Sequence, residues 1–468
     1  MDIKDFDDIQ QWAEQQWGQS KLGDKRRTAR AVRLGASLAA QPAASLPAQT
    51  DSWSDLKAAY RLLNEEDVTH RALSEPHWRV TREQTAALDC GVVLFVQDTS
   101  ELDFTSHPQT SGLGHIGNTR GKGFLLHSCL AILPREDRVQ IIGVAAQHVW
   151  TRHHEARKGR ESRTERNKRP TEAEVWAKIV EEIGQAPRPE TDILWVSVGD
   201  RASDIFSYLR RAQAAGWKCL LRVGQDRVIQ TSAGERARLM SWARGLVPQA
   251  HRTIILRGRD GRPQREVELA IAWSTVTICA PQLGPERKGE PIRGWCIRCW
   301  EQATPAGDEA IEWVLFTSVP VTGEQSAVEQ VKWYSCRWLI EEYHKCLKTG
   351  CAMERRQLET AAGLLALLGF LAIIAVRLLQ LRELSRRAPQ TLAQTAVPAL
   401  FINVLVARLK LCIETDKMTV REFWRGVARL GGFLGRKSDG DPGWQTLWRG
   451  WQRLQDMCWG AIQVNAPT

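Results

Sequence analysis

The chain has 468 residues, enough for two or three domains with cores of their own. Lys and Arg number 64 against 54 acidic residues, a net charge of +10 that favours a polyanionic partner, nucleic acid before membrane. Eleven scattered cysteines, an odd number, with no signal peptide, argue against a disulfide-stapled secreted protein and for a reducing cytoplasm.

Residues 1–70 read as a small, basic, helical module. Leu22-Gly-Asp-Lys-Arg-Arg-Thr-Ala-Arg30 opens a helix that Asp24 can cap, with Arg26, Arg27 and Arg30 in its first turns. Arg26, Arg30 and Arg33 recur at spacings of four and three and so share one face, opposite Ala and Val. Such a face suits phosphate contact, although an ordinary solvated helix carries the same pattern. A second helix is predicted over 55–63.

Gly91-Val-Val-Leu-Phe-Val-Gln-Asp98 is a continuous apolar run, predicted as a buried central strand with Asp98 at its C-terminal edge. Strands over 124–133 and 139–149 follow. The glycine-rich stretch 112–123 lacks the spacing and the Ser or Thr of a phosphate-binding P-loop. It is expected to form a hairpin that offers Arg120 and Lys122 to DNA. Residues 152–169 are very polar and read as a loop or arm, a candidate flap over DNA.

Residues 191–200 repeat the earlier pattern, an apolar strand ending in Asp200, and a helix (204–214) and strand (217–223) continue the α/β rhythm. Residues 225–312 alternate apolar and polar positions, as an antiparallel β insertion does. Within them Cys296 and Cys299 form the one C-x-x-C; on a strand their thiols point to opposite faces, which disfavours zinc. Trp313 opens a return to the sheet. From 364 onward the chain reads as helical. Its longest uncharged run, 361–376, is too short to span a bilayer and is expected to be a buried helix, with no membrane partner. Trp444, Leu447, Trp448, Trp451, Leu454 and Cys458 form a stripe that reads as a packing or self-association face.

Residues 334–348 carry the densest pattern. On a single helix, at about 100° per residue, Tyr334, Arg337, Glu341, Lys345 and Lys348 fall within about 80° of arc, opposite an apolar face. This is either a solvated face with i,i+4 ion pairs or a metal-binding carboxylate ringed by groups that grip phosphate. Two strand-end aspartates, Asp98 and Asp200, together with Glu341 make a hard-oxygen set suited to Mg²⁺ or Mn²⁺. Two such ions can drive in-line displacement at a phosphodiester.

The pattern Tyr334-x2-Arg337-x3-Glu341-x6-Lys348 resembles the Y-R-E-K signature of bacterial insertion-sequence DDE transposases of the IS-four family, close to the Tn-five cut-and-paste transposase. Leu22 to Arg30, Ala59-Tyr-Arg61, Asp98-Thr-Ser100, Asp200-Arg201, Trp338 to Lys345, Val376 to Glu383 and Ala428 to Phe433 resemble collinear blocks there. The resemblance implies an α/β, RNase H-like mixed-sheet core (71–384) holding the β insertion. It places a helical DNA-end-binding domain at 1–70 and a helical dimerisation domain at 385–468. It implies that Asp98, Asp200 and Glu341 bind two Mg²⁺ ions, with Mn²⁺ as a substitute. It implies that Tyr334, Arg337 and Lys348 hold the DNA backbone beside a flipped base stacked on Trp313, and Lys345 beside them is a further candidate DNA contact. Arg355 and Arg356 are further candidate DNA contacts. The implied partners are double-stranded DNA, as transposon inverted-repeat ends and as target, and a second copy of the chain. The competing expectation is a catalytically inactive DNA-binding regulator, and a nuclease without strand transfer is a third.

Overall fold

A computed structural model describes residues 9–117, 120–135, 139–152, 172–188, 191–256, 265–304, 310–386, 389–395, 397–436 and 439–465. The expected arm at 152–169 lies outside the described residues except for Arg152.

Helices α1 (Ile9–Trp17), α2 (Lys25–Ala40), α3 (Trp53–Leu63) and α4 (His70–Ala86) come first. Asp24 caps α2 as expected, its carboxylate accepting from the Arg26 N–H at 2.7 Å, and Ser52 and Thr69 cap α3 and α4 in the same way. Trp17 is buried against α2, where a Cβ at Gly35 would lie 2.3 Å from its ring.

Strands β1 (Cys90–Asp103), β2 (Gly114–Ile116), β3 (Gly121–Pro134) and β4 (Val139–Trp150) follow; next come α5 (Val175–Ile183), β5 (Asp192–Gly199), α6 (Phe206–Ala214) and β6 (Lys218–Arg222). In the order β4-β3-β1-β5-β6 only β3 runs against the others, which is the mixed sheet of an RNase H-like core. Alternate residues of β1 face opposite ways. Leu94 and Val96 join a core shared with the flanking helices of both chain ends, while Val93 and Phe95 join a second core under α5 and α6.

The β insertion consists of β7 (Val228–Thr231), β8 (Arg236–Arg238), β9 (Ala250–Leu256), β10 (Arg265–Ile278) and β11 (Ile292–Glu301), with a short helix α7 (Leu239–Arg244). It is antiparallel, as expected, but it is not a separate layer. Strand β12 (Glu312–Thr317) pairs with β11 on one side and β6 on the other, so the insertion extends the same sheet. Cys296 and Cys299 are both fully buried, in opposite cores.

Two helices, α8 (Glu324–Ser335) and α9 (Trp338–Lys345), replace the single helix expected over 334–348, and a π turn, Cys346–Gly350, follows them. The joint is a tightened turn: the N–H groups of Cys336 and Arg337 bond three residues back, to Trp333 and Tyr334. Tyr334 is consequently buried and does not share the exposed face with Lys345.

Helix α10 (Ala361–Leu384) runs 24 residues and is long and apolar enough to cross a membrane, longer than the uncharged run suggested. Burial decides its role: 89% of its most apolar window lies inside the protein. It touches α2, α3, α4, β4 and α9. Helices α11 (Ala399–Leu409), α12 (Val420–Leu430) and α13 (Trp444–Asn465) complete the fold. The six-residue stripe of α13 is buried within the chain against α10, α11 and α12, with Trp451 between Phe401 and Trp424. It is a packing face within the chain. The helices meet closely at two glycines: a Cβ at Gly450 would lie 1.7 Å from the Val427 carbonyl oxygen.

Candidate active site

Asp98 lies inside β1 and not at its C-terminal edge, because the ladder with β3 continues to Asp103 opposite Gly123. Pairing with β5 does stop early, at Val96 opposite Val198, so Asp98 sits where β5 leaves the sheet. There β5 ends at Gly199, whose missing side chain lets Ser203 pack over the turn; a Cβ would meet Ser203 Oγ at 2.4 Å. The next residue, Asp200, caps that turn by accepting from the Ala202 N–H at 2.9 Å.

Helix α9 brings the third acid over this corner. Arg337 Nη1 lies 3.5 Å from Asp98 Oδ2, and its Nη2 donates to Glu341 Oε1, so one guanidinium spans two carboxylates. The Thr99 N–H donates to Asp98 Oδ1 at 2.7 Å. Burial pushes the Asp98 carboxyl up to about 6, and the neighbouring charges of Asp200 and Glu341 push in the same direction against Thr99 and Arg337. Beside them Trp313, half-buried on β12, meets Tyr334 edge to face at 5.2 Å. Burial raises the Tyr334 hydroxyl, which lies in the field of Arg337, Arg222 and Asp200.

Asp98, Asp200, Glu341, Arg337, Tyr334 and Trp313 thus share one corner. Lys348 lies farther along, its Nζ 3.5 Å from Glu354, and Glu354 in turn accepts from the Asp103 N–H at 3.0 Å. Lys345, Arg355, Arg120 and Lys122 are exposed, the last two on the β2–β3 hairpin; Arg26 is exposed and Arg30 half-exposed on α2. Two expected DNA contacts have other work. Arg356 is 4% exposed, and its guanidinium donates to the carbonyls of Pro42, Ala44 and Cys351 and to Gln49 Oε1. It ties the segment after α9 to the loop that follows α2. Arg27 is paired with Glu65 and with Asp67 at 2.9 Å, which pins α2 to the loop after α3.

Sequence reading missed Arg222, which ends β6 and stands near Tyr334, Arg337 and Arg201. Its signal was the one used for Asp98 and Asp200, a charge closing an apolar run. Among the described residues no three His, Cys, Asp or Glu side chains lie within reach of one ion as they stand. Hard oxygens and mutual repulsion at Asp98 nonetheless fit a divalent cation, and the Arg337 guanidinium already supplies positive charge between two of the acids.

Three family models match the chain: a transposase DNA-binding domain over residues 9–68, a transposase DDE domain over 146–377, and a Tn5 transposase dimerisation domain over 373–466. Its domains are those of a Tn5-like transposase. The transposase's DDE match includes Asp200 and Glu341 but begins in β4, after the strand that carries Asp98. Asp98 joins the other two through the geometry of β1.

Proposed function

We propose that this transposase carries out cut-and-paste transposition, with Asp98, Asp200 and Glu341 as the ligands of two Mg²⁺ ions that Mn²⁺ can replace. The observation that carries this reading is that Asp200 and Glu341, from elements far apart in sequence, both act on Asp98, with Arg337 spanning Asp98 and Glu341. Bound divalent ions activate a water or a 3′-hydroxyl and stabilise the leaving oxygen at a phosphodiester.

In this reading the Tyr334-Arg337-Glu341-Lys348 set works as the Y-R-E-K signature of the IS-four family. Arg337, Lys348 and Lys345 take DNA phosphates, and Arg337 releases Asp98 and Glu341 as it does so. Trp313 stacks on a base flipped out of the transposon end, with Tyr334 fixing its ring from the edge. The exposed side of α2, with Arg26 and Arg30, grips the end DNA. The order of events is a nick at the transposon end, attack of the freed 3′-hydroxyl on the opposite strand to give a hairpin, hydrolysis of the hairpin, and joining of the 3′-hydroxyl to target DNA. A pair of chains synapses two ends, in the bacterial cytoplasm.

The test is cleavage of labelled DNA bearing the inverted repeats that flank the gene, in Mg²⁺, by wild type and Glu341→Gln. Nicks and hairpins from the wild type alone are expected, with both proteins shifting the DNA. A shift without cleavage by either protein would replace the enzyme with an inactive DNA-binding regulator.

A further inference from the structure

Two chains of buried side-chain hydrogen bonds run through the sheet beneath the three acids. On the face of α5 and α6, Thr99 Oγ1 lies 2.7 Å from His127 Nδ1, and His127 Nε2 lies 3.1 Å from Gln97 Oε1. Gln97 Nε2 donates to Ser197 Oγ at 2.8 Å, and Ser197 Oγ also accepts from the Tyr208 hydroxyl at 2.6 Å. Gln97 Oε1 can only accept, so His127 Nε2 carries the hydrogen. Burial holds the ring neutral by lowering its pKa to about 3, which leaves Nδ1 bare to accept from Thr99.

On the face of α9 and α10, Gln147 Nε2 donates to Ser128 Oγ at 2.9 Å and to the Tyr343 hydroxyl at 3.0 Å. The Tyr343 hydroxyl donates to the Ala372 carbonyl at 3.2 Å, and Gln147 Oε1 accepts from His70 Nε2 at 3.1 Å.

Each chain is attached to the acids at short range. Thr99 follows Asp98 and holds its Oδ1 through the backbone N–H. Ser197 stands three residues before Asp200 on β5. Ser128 is the β3 partner of Asp98, and Tyr343 stands two residues after Glu341 on α9. Gln97, His127, Ser128 and Ser197 are at most 1% exposed, and Tyr343 is fully buried. Apolar side chains at these positions would avoid the cost of burying polar groups, so stability alone does not account for them.

We propose that these are two positioning braces, one on each face of the sheet, through which Thr99, His127 and Gln97 fix Asp98 against the Asp200 strand while Gln147 and Tyr343 fix the height of Glu341 above Asp98. None of these residues touches DNA or metal in this scheme. The proposal rests on the reading of the three acids as metal ligands.

Its test is a Mn²⁺ titration of the full-length protein, followed by electron paramagnetic resonance of the free ion. Thr99→Val and Tyr343→Phe each remove one hydroxyl and are expected to weaken Mn²⁺ binding by about tenfold or more, the scale on which outer-shell partners act. Thr99→Ser keeps the hydroxyl and is expected to stay within about threefold of wild type. Should Thr99→Val not fold, Tyr208→Phe, at the far end of the same brace, takes its place with the same expected direction. Wild-type affinity in both hydroxyl-deletion variants would overturn the braces, and so would equal losses in Thr99→Ser and Thr99→Val. Asp98→Asn and Glu341→Gln serve as controls: binding unchanged in both would overturn the metal reading itself, separately from the braces.

Discussion

Replacing Asp98 with Asn should stabilise the metal-free protein near neutral pH. The Asp98 carboxyl is raised from an ordinary 3.8 to about 6, chiefly by burial and then by Asp200. A carboxyl raised on folding binds its proton more tightly in the native state than in the unfolded chain. Its contribution to stability is therefore complete below about pH 4 and is lost as pH rises through about 6. A rise from 3.8 to about 6 corresponds to about 3 kcal/mol at neutral pH. The side chain is 23% exposed, so solvent screening takes little from that figure. Asn mimics the neutral acid and escapes the loss. Thermal unfolding in EDTA should show Asp98→Asn equal to wild type near pH 4, with the difference opening between pH 4 and 6. Above pH 7 it should level off at about 3–6 °C in favour of the variant. Mg²⁺ should then close the gap by stabilising only the wild type. A difference that is flat with pH, or a wild type that is the more stable at pH 7.5, would refute the placing of Asp98 where burial and two neighbouring carboxylates outweigh Arg337 and Thr99.

Arg26→Ala should lower the slope of log affinity against log salt for end DNA by about one, with no change in thermal stability. Arg356→Ala should do the reverse, leaving the salt slope unchanged while costing about 3 kcal/mol, because three buried carbonyls lose their donor. Gly450→Ala should cost roughly 1–3 kcal/mol by forcing α12 and α13 apart. Its effect should appear in sedimentation as a weakened dimer before it appears in DNA binding by the N-terminal helices.

The parts of the fold and site that could be read in advance are those with a local cause. An apolar run closed by a carboxylate marks Asp98 and Asp200, Asp24 marks the start of α2, and strict alternation marks the β insertion. What escaped depends on partners distant in sequence. Arg355 and Arg356 look alike as neighbours, yet one is exposed and the other is drawn into carbonyls at Pro42 and Ala44. Tyr334 leaves the face that an ideal helix would give it, because the joint between α8 and α9 turns more tightly. A stripe of Trp and Leu says that α13 packs, and only the neighbouring α11 and α12 say against what. The merging of the insertion with the main sheet hangs on three residue pairs between β12 and β6.

Helix α10 bears on how such a molecule can be inherited. The DDE and dimerisation matches overlap on residues 373–377, inside this one helix, which also packs against three of the N-terminal helices. Phe370 lies against Trp17, and the Arg377 guanidinium stacks on Trp12, so the middle of α10 is moulded to the first helix of the chain. Exchange of segments between related genes at that seam would unite two halves of a single rod and set a foreign surface against α1. A change on the buried face of α10 is therefore felt at once by the DNA-binding, DDE and dimerisation segments, because one rod carries contacts of all three.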